Sequence, residues 1–229
     1  MGKEHTDRQY EGQLDELRTR LLKMAGLVET MLAEAVQALV EDNQAVARKV
    51  IALDSEVDTL EMKCDELCLR ILALRQPMGS DLRFITLALK MVTDLERMGD
   101  LAVNISERAL DVSGHPRVFD WTLIEQMAAL VGQMIRSANQ AFIDGDEALA
   151  RETVHRDAEV DALYARSFNQ ILDTMRSDPE SIHDGLHAQS IAKWLERMGD
   201  HCTNLAEQVV FLVRGKDIRH ANDAAPESK

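Results

Sequence analysis

The sequence predicts an all-α protein made of two tandem three-helix bundles related by internal duplication. Three observations carry this reading. The hexapeptide LERMGD occurs twice, at 95–100 and at 195–200. Apolar residues recur at helical spacing along nearly the whole chain. The composition is 45% hydrophobic but only 4% aromatic, with four prolines, a mix that favours long helices over strands.

Repeats are read first, because a missed repeat misassigns the whole fold. Moving back from the hexapeptides, Asp54-Ser-Glu-Val-Asp58 answers to Asp157-Ala-Glu-Val-Asp161. Further back, Met24, Leu27, Met31 and Leu39 answer to Met127, Leu130, Met134 and Phe142. The displacement is 103 positions for these pairs and 100 for the hexapeptides, so three residues are absorbed between the paired motifs.

Each half then divides into three helices. The first carries Met24, Leu27, Met31 and Leu39 and breaks at Glu41-Asp42-Asn43. The second carries Val50, Leu53, Val57, Leu60, Cys64, Leu67, Ile71 and Leu74, and breaks at Gln76-Pro77-Met78-Gly79. The third runs through Phe84, Leu87, Met91, Leu95, Met98, Ala102 and Ile105 to a helix-ending Gly114. The fourth breaks at Asp144-Gly145-Asp146, and the fifth at Ser177-Asp178-Pro179. Asp178 reads as an N-cap with proline at the first helical position. The sixth ends at Gly215. The expected bundles are residues 8–114 and 115–216, followed by a polar tail at 217–229.

The formal net charge is -14. Nucleic-acid binding needs a basic footprint, and none is visible, so no nucleic-acid partner is expected. An acidic surface suits cations or a basic protein partner. No apolar run approaches a membrane span, so no membrane insertion is expected. The amino-terminal MGKEHTDRQYEG has no apolar h-region. Three cysteines, an odd number, point to a reducing cytoplasm.

Extending each hexapeptide gives Glu96, Asp100, Asn104 and Glu107 in the first half, and Glu196, Asp200, Asn204 and Glu207 in the second. Steps of four residues advance only about 40° around a helix, so each set forms one stripe. That stripe lies roughly opposite the core residues Met91, Met98 and Ile105, so it is expected on the surface. On the second helix Asp54, Asp58, Glu61 and Asp65 share a face, and Asp157 and Asp161 match the first two in the other half. Folding each helix pair into an antiparallel hairpin about Pro77 or Pro179 sets these stripes in register. Four carboxylates and an asparagine then converge in each half.

Like charges four apart on a helix destabilise it by a few tenths of a kcal/mol per pair. Oxygen-ligand cations remove that repulsion. The candidate metal ligands are therefore Asp54, Asp58, Glu96, Asp100 and Asn104, with Asp157, Asp161, Glu196, Asp200 and Asn204. With no histidine in the stripe, a typical structural zinc site is not expected. Gly99 and Gly199 interrupt the helices at a cost of about 1 kcal/mol each relative to Ala, and would allow close approach beside the stripe. Two plainer readings stand beside this one. An acidic stripe opposite a core stripe is commonly a solvated face, and Arg97 and Arg197 could neutralise the carboxylates without metal. Cys64 and Cys68 read as core residues, and His201 as a surface or supporting residue.

The paired Asp-x-x-x-Asp and Glu-x-x-x-Asp-x-x-x-Asn repeats resemble the metal-binding motifs of the PhoU family, accessory and regulatory proteins of phosphate transport. Arg75-Gln76-Pro77 followed by Ser80-Asp81-Leu82-Arg83 is similar to its inter-helix turn, and residues 212–220 to its C-terminal segment. The second half departs at its hairpin end, reading Met175-Arg176-Ser177-Asp178-Pro179. The resemblance implies two three-helix bundles with multinuclear clusters, of iron or zinc, on the bundle surfaces. It implies a non-enzymatic negative regulator that links the ATPase subunit of a phosphate ABC transporter to a phosphate-sensing histidine kinase. The expected oligomer is a homodimer. A carboxylate-bridged metalloenzyme and a metal-free helical scaffold are the competing classes. No Glu-x-x-His pair of the di-iron type is present in the stripes.

Overall fold

The structure, a computed structural model, describes residues 2–115 and 118–215, with side chains from Arg8 onward. The expected tail at 217–229 lies outside the described residues. Six long helices follow one another up and down: α1 (Gly2–Glu41), α2 (Gln44–Arg75), α3 (Ser80–Asp111), α4 (Thr122–Asp144), α5 (Glu147–Ser177) and α6 (Ile182–Arg214). A single 3-10 turn, Pro179–Ser181, precedes α6. Among the described residues there is no strand, as the low aromatic and β-branched content requires.

The helix boundaries follow local chemistry. The Asn43 side chain accepts from Val46 N at the start of α2, and Asp146 accepts from Ala148 N and Leu149 N at the start of α5. Asp178 caps the 3-10 turn through Glu180 N, with Pro179 at its first position. Gly215, at φ 68°, closes α6 through its N–H to Phe211 O. Gly114 acts differently from the expectation. Helix α3 already ends at Asp111, and Gly114 lies in the turn beyond it at φ 77°. That turn is gripped from the α1–α2 corner, because Asp42 accepts from Ser113 Oγ and from Gly114 N. From the other side His115 Nδ1 lies 2.9 Å from Asp184 Oδ1 on α6.

Helices α1, α2 and α3 pack together, as do α4, α5 and α6, and the bundles meet where α1 packs on α4 and α3 on α6. The apolar stripes of both bundles merge into one continuous core from Leu17 to Val210. A smaller cluster of Phe119, Ile171 and Ala188 is packed by Trp121 and Met175 beneath the start of α4. Helices this long owe their stability to such packing more than to propensity. Within the hexapeptides, Leu95, Met98, Leu195 and Met198 are fully buried. Each contributes roughly 1.5–3 kcal/mol by leaving water. The three-residue difference between the repeats falls in the helix arms beside the hairpin turns, because four residues separate α2 from α3 and four, three of them in the 3-10 turn, separate α5 from α6.

Candidate functional site

The core residues of each hexapeptide fix the rotation of α3 and α6, and this sets where the acidic residues stand. Leu95 and Met98 turn inward, so Glu96 and Asp100 fall on the seam where α3 meets α2. In the second half Glu196 and Asp200 fall on the seam between α6 and α5. The sequence places the stripes on an outward surface, and the structure shows them half-buried to exposed. Asp54, Glu96, Asn104, Asp157 and Glu196 are half-buried, while Asp58, Asp100, Asp161, Asp200 and Asn204 are exposed. The acidic residues line two partly solvated seams between helices, the cleft of each half.

Gly99 and Gly199 lie at the floor of those clefts, and both are buried. A methyl group at Gly99 would stand 3.4 Å from Val57 Cγ1 and 3.7 Å from Asp54 Oδ1. At Gly199 it would stand 3.3 Å from both Val160 Cγ1 and Asp157 Oδ1. The missing side chain lets the neighbouring helix bring its first aspartate against the hexapeptide backbone. This is the physical reason a residue unfavourable to helices recurs at both positions.

The carboxylates of each half sense one another. Partial burial raises the Asp54 carboxyl above its usual range, and the charges of Asp58 and Asp100 add to it. Glu96 is raised by burial and then by Asp100 and Glu61. Glu61 is raised by burial and by Asp65, Asp58 and Asp100, which makes it a member of the first cluster beyond the five ligands expected there. In the second half burial, with Asp200 and Asp161, pushes Asp157 up to about 6. Asp200 is raised by burial and by Glu196, with Lys193 opposing.

The asparagines are less central. Asn104 makes no hydrogen bond to the first cluster among the described residues, and Asn204 Nδ2 reaches 3.5 Å toward Asp94 Oδ1 of the other bundle. Asp94 also takes His201 Nδ1 at 2.9 Å and Gln208 Nε2 at 2.8 Å. It binds the two hexapeptide helices together across the bundle interface. His201, expected at the surface, is instead held in that contact. Repeat logic passes over Asp94 because its counterpart is Trp194; the break in the repeat was the signal. Arg97 and Arg197 are exposed and form no ion pair with the clusters among the described residues, although the Arg97 charge partly offsets the rise of Glu96. One lysine does what they do not: Lys193 Nζ lies 2.7 and 2.6 Å from the two oxygens of Glu196.

Among the described residues no set of three His, Cys, Asp or Glu side chains is arranged to close on a metal ion. The donor chemistry itself fits a hard or borderline cation, being all oxygen on two facing helices.

The raised carboxyls give a sign to the pH dependence. Asp157 binds its proton more readily folded than unfolded, where its value is 3.8. That stabilisation is full below 3.8 and is lost as pH rises through about 6. A dry site would make this ~3 kcal/mol; the half-exposed position reduces it to about 1 kcal/mol. His187, held low chiefly by burial, works the other way below its ordinary 6.5. The comparison is therefore between the metal-free wild type and Asp157→Asn. The variant should be the more stable at pH 7, and the gap should narrow as pH falls below about 6 and close only near 3.8 in urea titrations. A gap independent of pH would show that Asp157 does not carry this charge strain.

Two acidic clefts on a duplicated, all-helical scaffold define a tandem three-helix-bundle protein of the kind that presents cation-attracting surfaces. The PhoU domain matches the chain twice, at residues 21–109 and 124–209. The chain belongs to the PhoU family. It is 38% identical to the phosphate-specific transport system accessory protein PhoU homolog of Pseudomonas putida, over 94% of this chain and 85% of that protein. Identity to the phosphate-specific transport system accessory protein PhoU of Serratia marcescens is 35%, over 97% and 92%. The crystal structure of PhoU from Pseudomonas aeruginosa superposes with a TM-score of 0.87 at 36% identity, covering 90% of this chain and all of that one. The phosphate transport system regulatory protein PhoU from Streptococcus pneumoniae gives 0.85 at 28% identity, covering 91% and 98%.

Proposed function

We propose that this chain is the accessory protein of a phosphate-specific transport system. It acts as a metal-binding adaptor between the ATPase subunit of the phosphate ABC transporter and the phosphate-sensing histidine kinase. It works at the cytoplasmic face, as a homodimer, and holds phosphate-starvation signalling off when phosphate is plentiful. Its role is regulatory rather than catalytic. The observation that supports the reading is the double PhoU-domain match, which spans both acidic clefts, together with relatives named as accessory proteins of phosphate-specific transport systems. Support from geometry is narrower. The clefts gather carboxylates under strain that a cation would relieve, and the residues that would hold it are Asp54, Asp58, Glu96 and Asp100, with Asp157, Asp161, Glu196 and Asp200 in the other half. Iron or zinc would serve there as an electrostatic brace between adjacent helices. No described helix is long and apolar enough to cross a membrane, so contact with transporter and kinase would be through docking.

The test couples two measurements. Protein purified without chelator should carry metal, and it should co-purify with the transporter ATPase. Deleting the gene should leave phosphate-starvation genes switched on in rich phosphate. Normal repression in the deletion strain would refute the adaptor reading.

A further inference from the structure

The turn between α2 and α3 carries its apolar and charged residues the wrong way round. It runs Leu74-Arg75-Gln76-Pro77-Met78-Gly79-Ser80-Asp81-Leu82-Arg83. A hairpin tip has water on most sides, so charged side chains are expected outside and apolar ones inside. Here Leu74, Met78 and Leu82 are 69%, 83% and 41% exposed, whereas Arg75, Asp81 and Arg83 are half-buried.

The inversion is built into the packing. Arg75 donates from Nε to Gln13 Oε1 at 3.2 Å and from Nη2 to Gln9 Oε1 at 2.8 Å. The Tyr10 hydroxyl donates to Asp81 Oδ2 at 2.8 Å. Both ties run to α1, one from each arm of the hairpin. Burial, with the Asp81 carboxylate, pushes the Tyr10 hydroxyl up to about 12, so its proton stays in that bond at neutral pH. Between the ties the backbone takes two positive φ angles, 50° at Gln76 and 58° at Gly79. A non-glycine residue stays in that region only where its surroundings fix it. The polar side chains are consumed in holding the turn, and the apolar ones are what it presents. A lone exposed apolar residue needs no explanation, but three on one braced turn mark an interaction site.

Charge narrows the partner. From Leu69 to Arg83 the chain has Arg70, Arg75 and Arg83 against Asp81 alone, in a protein of net charge -14. Arg70 is shared with Glu66 at 2.6 Å. Among the described residues Arg75 is bound to neutral glutamines, and Arg83 Nε is buried without a partner. At the opposite end of the molecule Ile182 and Leu186 are also exposed, but that tip carries Asp178, Glu180 and Asp184. The net charge weighs against an anionic bilayer as the ligand, because three arginines do not offset it. We propose that the α2–α3 tip is a protein-docking surface, whose partner presents an apolar pocket for Leu74, Met78 and Leu82 rimmed by carboxylates for the arginines. This rests on the adaptor reading and confines one of its contacts to the end of the first bundle.

The experiment is biolayer interferometry of the full chain against the purified transporter ATPase subunit and, separately, the full-length kinase in detergent. Wild type should bind at least one of them. Leu74→Ser with Met78→Ser should weaken that binding on the order of tenfold or more, the effect of truncating side chains buried at an interface centre. Arg70→Glu should slow association several-fold at low salt and less at high salt. Ile182→Ser with Leu186→Ser, exposed at the opposite end, should change nothing. Unchanged binding by the Leu74 and Met78 variant, or an equal loss in the Ile182 and Leu186 variant, would overturn the docking surface and leave the adaptor reading standing. No binding of wild type to either protein would overturn both. Phosphatidylglycerol vesicles that capture wild type but not the Leu74 and Met78 variant would overturn the proposal in favour of a membrane contact. A wild-type dimer that the same variant dissociates in sedimentation would overturn it in favour of a second copy of the chain. Helicity and thermal midpoint should match wild type in every variant, because the replaced side chains already lie largely in water.

Discussion

The quadruple variant Glu96→Ala, Asp100→Ala, Glu196→Ala, Asp200→Ala is expected to purify free of metal and fully helical. The reason lies in how each hexapeptide divides its residues. Leu95, Met98 and their counterparts are buried in the core, whereas the four acidic side chains lie on the seams and form no ion pair with Arg97 or Arg197. Glu196 loses its pair with Lys193, but that pair is between residues three apart on one helix and largely exposed on the lysine side. Such pairs contribute at most a few tenths of a kcal/mol. Removing clustered like charge offsets that loss, so the metal-free thermal midpoint should hold or rise slightly. Within the set, Glu96→Ala with Asp100→Ala alone should remove metal from the first half and leave the second half loaded. Elemental analysis of protein purified without chelator reads the outcome. Metal content unchanged in the quadruple variant would show that these carboxylates are not ligands. Loss of helicity would show that they brace the fold instead.

How far the site was legible follows from what a repeat can and cannot transmit. The hairpin register came through because α2 and α3 are straight and meet at a short turn, so counting back from Pro77 aligns Asp58 with Glu96 and Asp100. The core came through because helical periodicity sorts Leu95 from Glu96 without any structure. What did not come through are the departures from the repeat. Lys193, Tyr164 and Asp94 have counterparts of different chemistry, and a search for agreement passes over them. The partial burial of the seams was also not legible. A stripe set opposite the core of its own helix still adjoins the neighbouring helix, and the glycines let that neighbour close in. Gly114 misled for a related reason. Helix α3 ends where Asp42 captures the following turn, a contact from residues 72 positions away that local propensity does not register.

Leu195→Ala should destabilise the whole protein by roughly 2–5 kcal/mol, in contrast to the near-neutral change at its neighbour Glu196. Leu195 is fully buried on α6, which packs on α5, on α4 and, across the bundle interface, on α3. Truncation removes its transfer free energy and leaves a cavity among side chains held by three other helices. Leu95→Ala should cost a similar amount, since Leu95 is equally buried and packs in the same continuous core. For a chain of this size, each kcal/mol lowers the thermal midpoint by roughly 2–4 °C. Because the bundles share one core and Asp94 ties α3 to α6, either substitution should move a single cooperative transition. Urea unfolding followed by circular dichroism tests both points. Two separable transitions, with only one moved by each leucine, would show that the bundles fold independently. If the transition is single, the same six residues in each half place a leucine and a methionine in the shared core and a glutamate and an aspartate on a seam.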